Sequence, residues 1–136
     1  MANTYLGFDY GRSRIGVAVG QSITGTASAI ETIKADQGKP DWPAVERLIK
    51  EWQPQRFIVG MPKNMDGSEH QLTATITRFG NQLHGRFGLP VSYVDERLSS
   101  REAERSIAPG RAKKDKGVID RVAAQLILQT WLDQNL

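Results

Sequence analysis

Tyr5-Leu6-Gly7-Phe8-Asp9-Tyr10-Gly11-Arg12-Ser13-Arg14-Ile15-Gly16-Val17-Ala18-Val19 holds two apolar runs separated by five polar or small residues. Each run is strand length, and the Gly-containing link between them predicts a β-hairpin over Tyr5–Asp9 and Ile15–Val19. The first run ends on a carboxylate. An acid carried at the end of a buried strand is costly unless positive charge compensates it.

Outward from the hairpin, Ala27–Ile33 reads as a third strand, followed by a Gly38-Lys39-Pro40 turn. Asp41 is placed to cap a short helix that tolerates Pro43 in its first turn and stops before Pro54. Arg56–Gly60 is a short apolar run suited to a strand covered on both faces. Ser68 with Gln71 marks a capping box for a helix carrying Leu72, Ile76, Phe79, Leu83 and Phe87, and Gly88 and Pro90 end it. Val91–Asp95 is the last strand. Ser99 with Glu102 opens a short helix to about Ile107, and Pro109–Gly117 is an unstructured, basic stretch before the final helix.

The order β-β-β-α-β-α-β-α-α predicts an α/β fold. Three strands form an antiparallel meander and two more join in parallel through right-handed crossovers, giving a mixed five-stranded sheet flanked by helices. At 136 residues, with no repeat or linker, residues 1–136 make a single domain with a real core.

A second acid stands out in the final helix. At 100° per residue, Leu126, Ile119, Ala123, Ile127, Trp131, Ala124 and Leu128 share one apolar arc, and Asp120 lies inside it. Arg121, Gln125 and Gln129 take the opposite, polar face. A third candidate comes from the Asp95-Glu96 pair, at the edge where parallel strands deliver functional side chains. Asp9, Glu96 and Asp120 thus form a candidate catalytic and metal-binding set, with Asp95 the alternative to Glu96. Strand alternation puts those two neighbours on opposite faces. Oxygen ligands without His or Cys select Mg²⁺ or Mn²⁺, and such clusters serve phosphodiester hydrolysis.

Charge placement points the same way. Between Arg97 and Arg121 eight Lys/Arg face four Asp/Glu, and this excess of four more than covers the chain's net +3. A concentrated basic region beside acids favours a polyanionic partner. Arg12, Arg14, Lys63, Arg97, Arg111, Lys113, Lys114, Lys116 and Arg121 are the candidate contacts to nucleic acid, with Arg97 alternatively pairing with Glu96 or Asp95. His70 and His84 have no partner at ligand spacing, and Trp42, Trp52 and Trp131 sit at core positions of helices. With no cysteine there is neither a disulfide nor a thiolate metal site. No leader pattern or membrane-spanning stretch is visible, so a cytoplasmic protein without membrane partners is expected.

Phe8-Asp9-Tyr10-Gly11-Arg12 with Ile15-Gly16-Val17-Ala18, Gly60-Met61-Pro62, Asp95-Glu96-Arg97-Leu98-Ser99 and Lys116-Gly117-Val118-Ile119-Asp120-Arg121-Val122-Ala123-Ala124 together resemble the YqgF (RuvX) family along essentially the entire chain. These are ribonuclease H-like proteins described as Holliday junction resolvases and as pre-16S ribosomal RNA processing nucleases. The resemblance implies that Asp9, an acid of the Asp95-Glu96 pair, and Asp120 bind metal and carry catalysis on precursor rRNA or branched DNA. One departure is visible. The better-known bacterial junction resolvase carries its second carboxylate on the strand after the first helix, which here ends in neutral Gly60. A monomer or weak homodimer is expected. Two other classes share these features: a nucleic-acid-binding factor in ribosome maturation or transcription without turnover, and a nucleotide phosphotransferase opened by Asp9-Tyr10-Gly11. The latter needs two such domains and this chain supplies one.

Overall fold

The computed structural model describes residues 3–62, 71–96 and 117–136. The strands are β1 (Thr4–Asp9), β2 (Arg14–Gln21), β3 (Thr26–Asp36), β4 (Lys39–Pro40), β5 (Arg56–Met61) and β6 (Val91–Asp95); the helices are α1 (Trp42–Trp52), α2 (Thr73–Phe87) and α3 (Val118–Asn135). The sheet order is β4-β3-β2-β1-β5-β6. β1, β2, β3 and β4 run antiparallel to their neighbours in turn, and β5 and β6 join β1 in parallel.

This is the expected α/β sheet with one correction: six strands replace the expected five. Lys39–Pro40 pairs with Ala35–Asp36, so the predicted turn is the tip of a small hairpin. Its bend falls on Gln37 and Gly38, both at positive φ. β3 also runs further than expected, to Asp36: β2 pairs with it as far as Lys34, and Ala35 and Asp36 pair with β4. The capping box at Ser68 and the short helix predicted from Ser99 lie outside the described residues.

α1 begins as predicted. The Asp41 carboxylate accepts the Ala44 N–H at 3.3 Å and Pro43 sits in the first turn. α2 ends at left-handed Gly88, whose N–H donates to His84 O at 2.8 Å. The ring of His84 meets Leu89 O at 2.9 Å, a local contact rather than a ligand position.

Alternation along the strands builds two cores. Leu6, Phe8, Val17, Val59 and Ile33 pack with Val45 and Leu48 of α1 and Ile76, Phe79 and Leu83 of α2. On the other face, Tyr5, Ala18, Ile58 and Val94 pack against Ala124, Ile127, Leu128 and Leu132 of α3. Trp42 and Trp52 lean on the first core, and Trp131 on the second, 4.8 Å from the Tyr5 ring. Gly7, Gly16, Ala18 and Gly20 face α3 with almost no side chain, which lets the helix lie close over β1 and β2.

The polar side of α3 does not face water alone. Gln125 Nε2 donates to Ala27 O at 3.0 Å, Gln129 Oε1 accepts from Ala27 N at 2.9 Å, and Gln129 Nε2 donates to Gly25 O at 2.9 Å. These amides satisfy backbone groups at the start of β3 that no further strand covers, a way to close a sheet edge. Among the described residues, no helix is long and apolar enough to cross a membrane.

Candidate active site

Asp9 ends β1 and is paired across the hairpin with Gly16. Its side chain follows Tyr5 and Gly7 onto the α3 face by the two-residue period of the strand. Gly60, near the end of β5, and Glu96, just past β6, point to that same face, as Ile58 and Val94 do in the core beneath them.

Two glycines let the acids meet. At Gly16, a Cβ would collide with the Asp120 backbone carbonyl and lie 2.8 Å from Arg121 N. The first turn of α3 therefore rests directly on the strand position beside Asp9. At Gly60, a Cβ would strike Ile127 and lie 2.8 Å from Glu96 Cδ and 3.0 Å from its Oε2. Gly60 is thus the space into which the Glu96 carboxylate folds. A glycine inside a strand is a known mark of such close approach.

A Gly16→Ala substitution is expected to lower unfolding free energy by about 1–3 kcal/mol, since a backbone carbonyl cannot rotate away as a side chain can. Gly85→Ala, on α2 with nothing within 4 Å of the added carbon, is expected instead to stabilise by up to about 1 kcal/mol through helix propensity. Urea unfolding of the two variants checks the contrast.

The start of α3 is also tied to β3. Thr32 Oγ1 donates to Gly117 O at 2.8 Å and accepts from Arg121 Nη1 at 3.1 Å. Asp120 sits in the helix's first turn, a favourable place for negative charge. Arg14, the first residue of β2, donates from Nε to Asp120 Oδ2 at 2.8 Å.

The electrostatics of Asp9 report the convergence. Burial pushes its carboxyl well above the usual carboxylate range, the charges of Glu96 and Asp120 push it further, and a hydrogen bond to Glu96 holds its proton. Three acids from three distant segments therefore act on one point. They are not arranged as a ready ligand cage: among the described residues no three acids or histidines form a group set to hold a metal ion. The physical reasons are visible. A side-chain hydrogen bond joins Asp9 to Glu96, and Arg14 holds Asp120.

Asp95, the alternative ligand, is the last residue of β6, paired with Met61, and is exposed. It alternates with Val94, so it leaves the α3 face that Glu96 occupies. Arg12 is exposed three residues beyond Asp9. Of the expected nucleic-acid contacts, Arg14 is paired with Asp120 and Arg121 donates to Thr32 Oγ1. Lys63, Arg97, Arg111, Lys113, Lys114 and Lys116 lie outside the described residues. The pairing of Gly16 and Gly60 with the acids, and the anchoring role of Thr32, were missed by sequence reasoning. The glycines inside strands were the available signal, and Thr32 offered none.

Residues 3–134 match a family model described as "RuvX: Holliday junction resolvase". The chain is 50% identical to a Yersinia enterocolitica protein named "Putative pre-16S rRNA nuclease", over 98% of both chains. The fold is similar to the fowlpox virus Holliday junction resolvase, with TM-score 0.59 at 13% identity, covering 96% of this chain and 99% of that one. It is also similar to Thermus thermophilus RuvC bound to a Holliday junction substrate, with TM-score 0.53 at 14% identity over 97% and 94% of the chains. The expected ribonuclease H-like α/β architecture is thereby met.

Proposed function

Since the chain belongs to the RuvX family, we propose that it is an endonuclease hydrolysing phosphodiester bonds in structured nucleic acid, with precursor 16S rRNA or a four-way DNA junction as substrate. One observation carries the reading: Asp9, Glu96 and Asp120, from the ends of β1 and β6 and the start of α3, place their charges on a single point at the sheet edge.

The donor set is all carboxylate oxygen, which suits a hard divalent cation; burial first, and then the charges of Glu96 and Asp120, raise the Asp9 carboxyl above its ordinary range, and a cation would offset that negative charge. Asp9, Glu96 and Asp120 would hold Mg²⁺ or Mn²⁺, one ion or two, and the bound charge supplies an activated water and stabilises the departing oxygen. Arg14 is the counter-charge that must be exchanged. Its side chain is 45% exposed and that of Asp120 22%, and a pair this open is worth at most about 1 kcal/mol. Arg14 can therefore leave Asp120 for a substrate phosphate at little cost. Arg12 and, by their charge in the sequence, Arg111, Lys113, Lys114 and Lys116 would contribute further contacts to the strand.

Cleavage of a four-way DNA junction and of precursor 16S rRNA should be compared under Mg²⁺, Mn²⁺ and EDTA. Cutting of at least one substrate is expected with either ion, none with EDTA, and a loss of roughly a hundredfold or more in Asp120→Asn. Equal cutting by wild type and Asp120→Asn contradicts the assignment.

The Arg14–Asp120 pair favours one second reading, a nucleic-acid-binding factor in ribosome maturation whose acids are tied up internally. That reading predicts salt-dependent binding that survives loss of all three acids and no cleavage by freshly purified protein.

A further inference from the structure

On the sheet face opposite the acids, Tyr10, Arg12, the β3–β4 turn, Trp42 and one side of α2 enclose an open cleft of about 590 Å³. Among the described residues that line it, four are basic, Arg12, Lys39, Arg78 and Arg86, and none is acidic. The ion pairs among the described residues involve other cations, namely Arg14, Arg47 and Lys50. All four basic lining residues are exposed, and cations gathered around one hollow raise the local positive potential that attracts an anionic ligand.

The cleft is built rather than incidental. The Arg86 guanidinium stacks 4.2 Å from the centre of the Trp42 ring, which fixes its plane while leaving its N–H edge able to donate. The Tyr10 hydroxyl donates to Gly38 O at 2.7 Å, and Gly38 N–H donates to Arg12 O at 2.8 Å, so the β3–β4 turn and the Arg12 segment are locked together.

Arg78 and Arg86 are eight residues apart on α2, roughly 12 Å along the helix. That is too far to share one phosphate, and it fits two non-adjacent phosphates of one strand. Arg12 is three residues from Asp9, so the cleft and the acids flank the same edge of the sheet from its two faces. We propose that the cleft is a second backbone-holding subsite, in which Arg12, Lys39, Arg78 and Arg86 grip the phosphates of the substrate strand to one side of the bond addressed by Asp9, Glu96 and Asp120. This deepens the nuclease reading and rests on it for the identity of the strand. Contacts of this kind position a strand without reading its sequence.

The test is binding of a 5′-fluorescein single-stranded RNA of roughly twelve nucleotides, and of the matching DNA, by full-length protein in EDTA over a salt series. The Arg78→Ala/Arg86→Ala double variant is expected to bind about tenfold more weakly. Its plot of log affinity against log salt should be shallower by about 1.4, two phosphate contacts at about 0.7 each. Arg78→Lys/Arg86→Lys should recover most of both. Arg78→Gln alone, which spares the Trp42 stack, should lose about half of the slope change. Affinity and slope unchanged in the double variant overturn the proposal. So does competition by AMP as effective as by the unlabelled oligonucleotide, which makes the cleft a small-anion pocket. Wild type that cuts nothing while the slope still falls in the double variant rejects the nuclease reading and keeps the subsite. Cleavage that requires Asp9 but is indifferent, with binding, to both arginines does the reverse.

Discussion

Asp9→Asn protein is expected to be more stable than wild type near neutral pH and to cut nucleic acid on the order of a thousandfold more slowly. Both effects come from one carboxyl. Its folded-state pKa is raised, by burial first and then by Glu96 and Asp120, so the fold prefers it protonated while the unfolded chain does not. Below the ordinary Asp range both states hold the proton and Asp9 costs nothing. As pH rises past that range the unfolded chain releases its proton and the folded chain keeps it, so stability falls with pH until Asp9 ionises in the fold as well. Asparagine keeps the shape, removes the charge and removes that slope. Urea unfolding of both proteins from about pH 4 to pH 8 without divalent ions measures it: wild type should lose stability across the interval relative to the variant. Adding Mn²⁺ or Mg²⁺ should raise the wild-type midpoint at neutral pH and leave the variant nearly unmoved, since binding to the folded state alone shifts the equilibrium toward it. The activity loss is of the size that follows removal of a group acting on the reacting phosphate. Superimposable stability–pH curves would show that Asp9 carries no strain of this kind.

The β1–β2 hairpin, the Asp41 cap and the Gly88 stop were legible because each depends on neighbours in sequence: alternation, a side chain reaching three residues ahead, a residue free to take positive φ. β4 was not legible. Two residues, Lys39 and Pro40, carry no periodic signal, and the strand exists only because Ala35 and Asp36 lie opposite. The helical wheel placed Gln125 and Gln129 correctly away from the apolar arc, yet period says nothing about what lies beyond a face. They meet the start of β3 rather than solvent alone. The acids were found because charge at the end of an apolar run is anomalous. The partners that organise them were not, since Arg14 reaches Asp120 across 106 residues of chain. Gly16 and Gly60 were visible as glycines in strands, but only the packed helix and the folded Glu96 show what the missing side chains make room for. Arg78 and Arg86 carry no signal of their own in the sequence; it is Trp42 and Tyr10, from other elements, that close a cleft beside them.

Glu96→Gln is expected to lose activity nearly as fully as Asp9→Asn, and Asp95→Asn less than about tenfold. Adjacent residues at a strand end point to opposite faces, and only one face holds Asp9, Gly60 and the first turn of α3. Glu96 leans over Gly60 and is hydrogen-bonded to Asp9; Asp95, the last residue of β6 paired with β5, is exposed. Charge loss at Glu96 also removes one of the two negative neighbours that hold Asp9 protonated, so its stability–pH slope should flatten toward that of Asp9→Asn. Asp95→Asn should leave that slope in place. Gly60→Ala supplies an independent check, because its methyl must push the Glu96 carboxylate away without altering any charge. Its activity should therefore fall with that of Glu96→Gln. A protein that tolerates Glu96→Gln but not Asp95→Asn would mean that the end of β6 turns over when substrate binds, and that the acid facing Asp9 at rest is not the one that works.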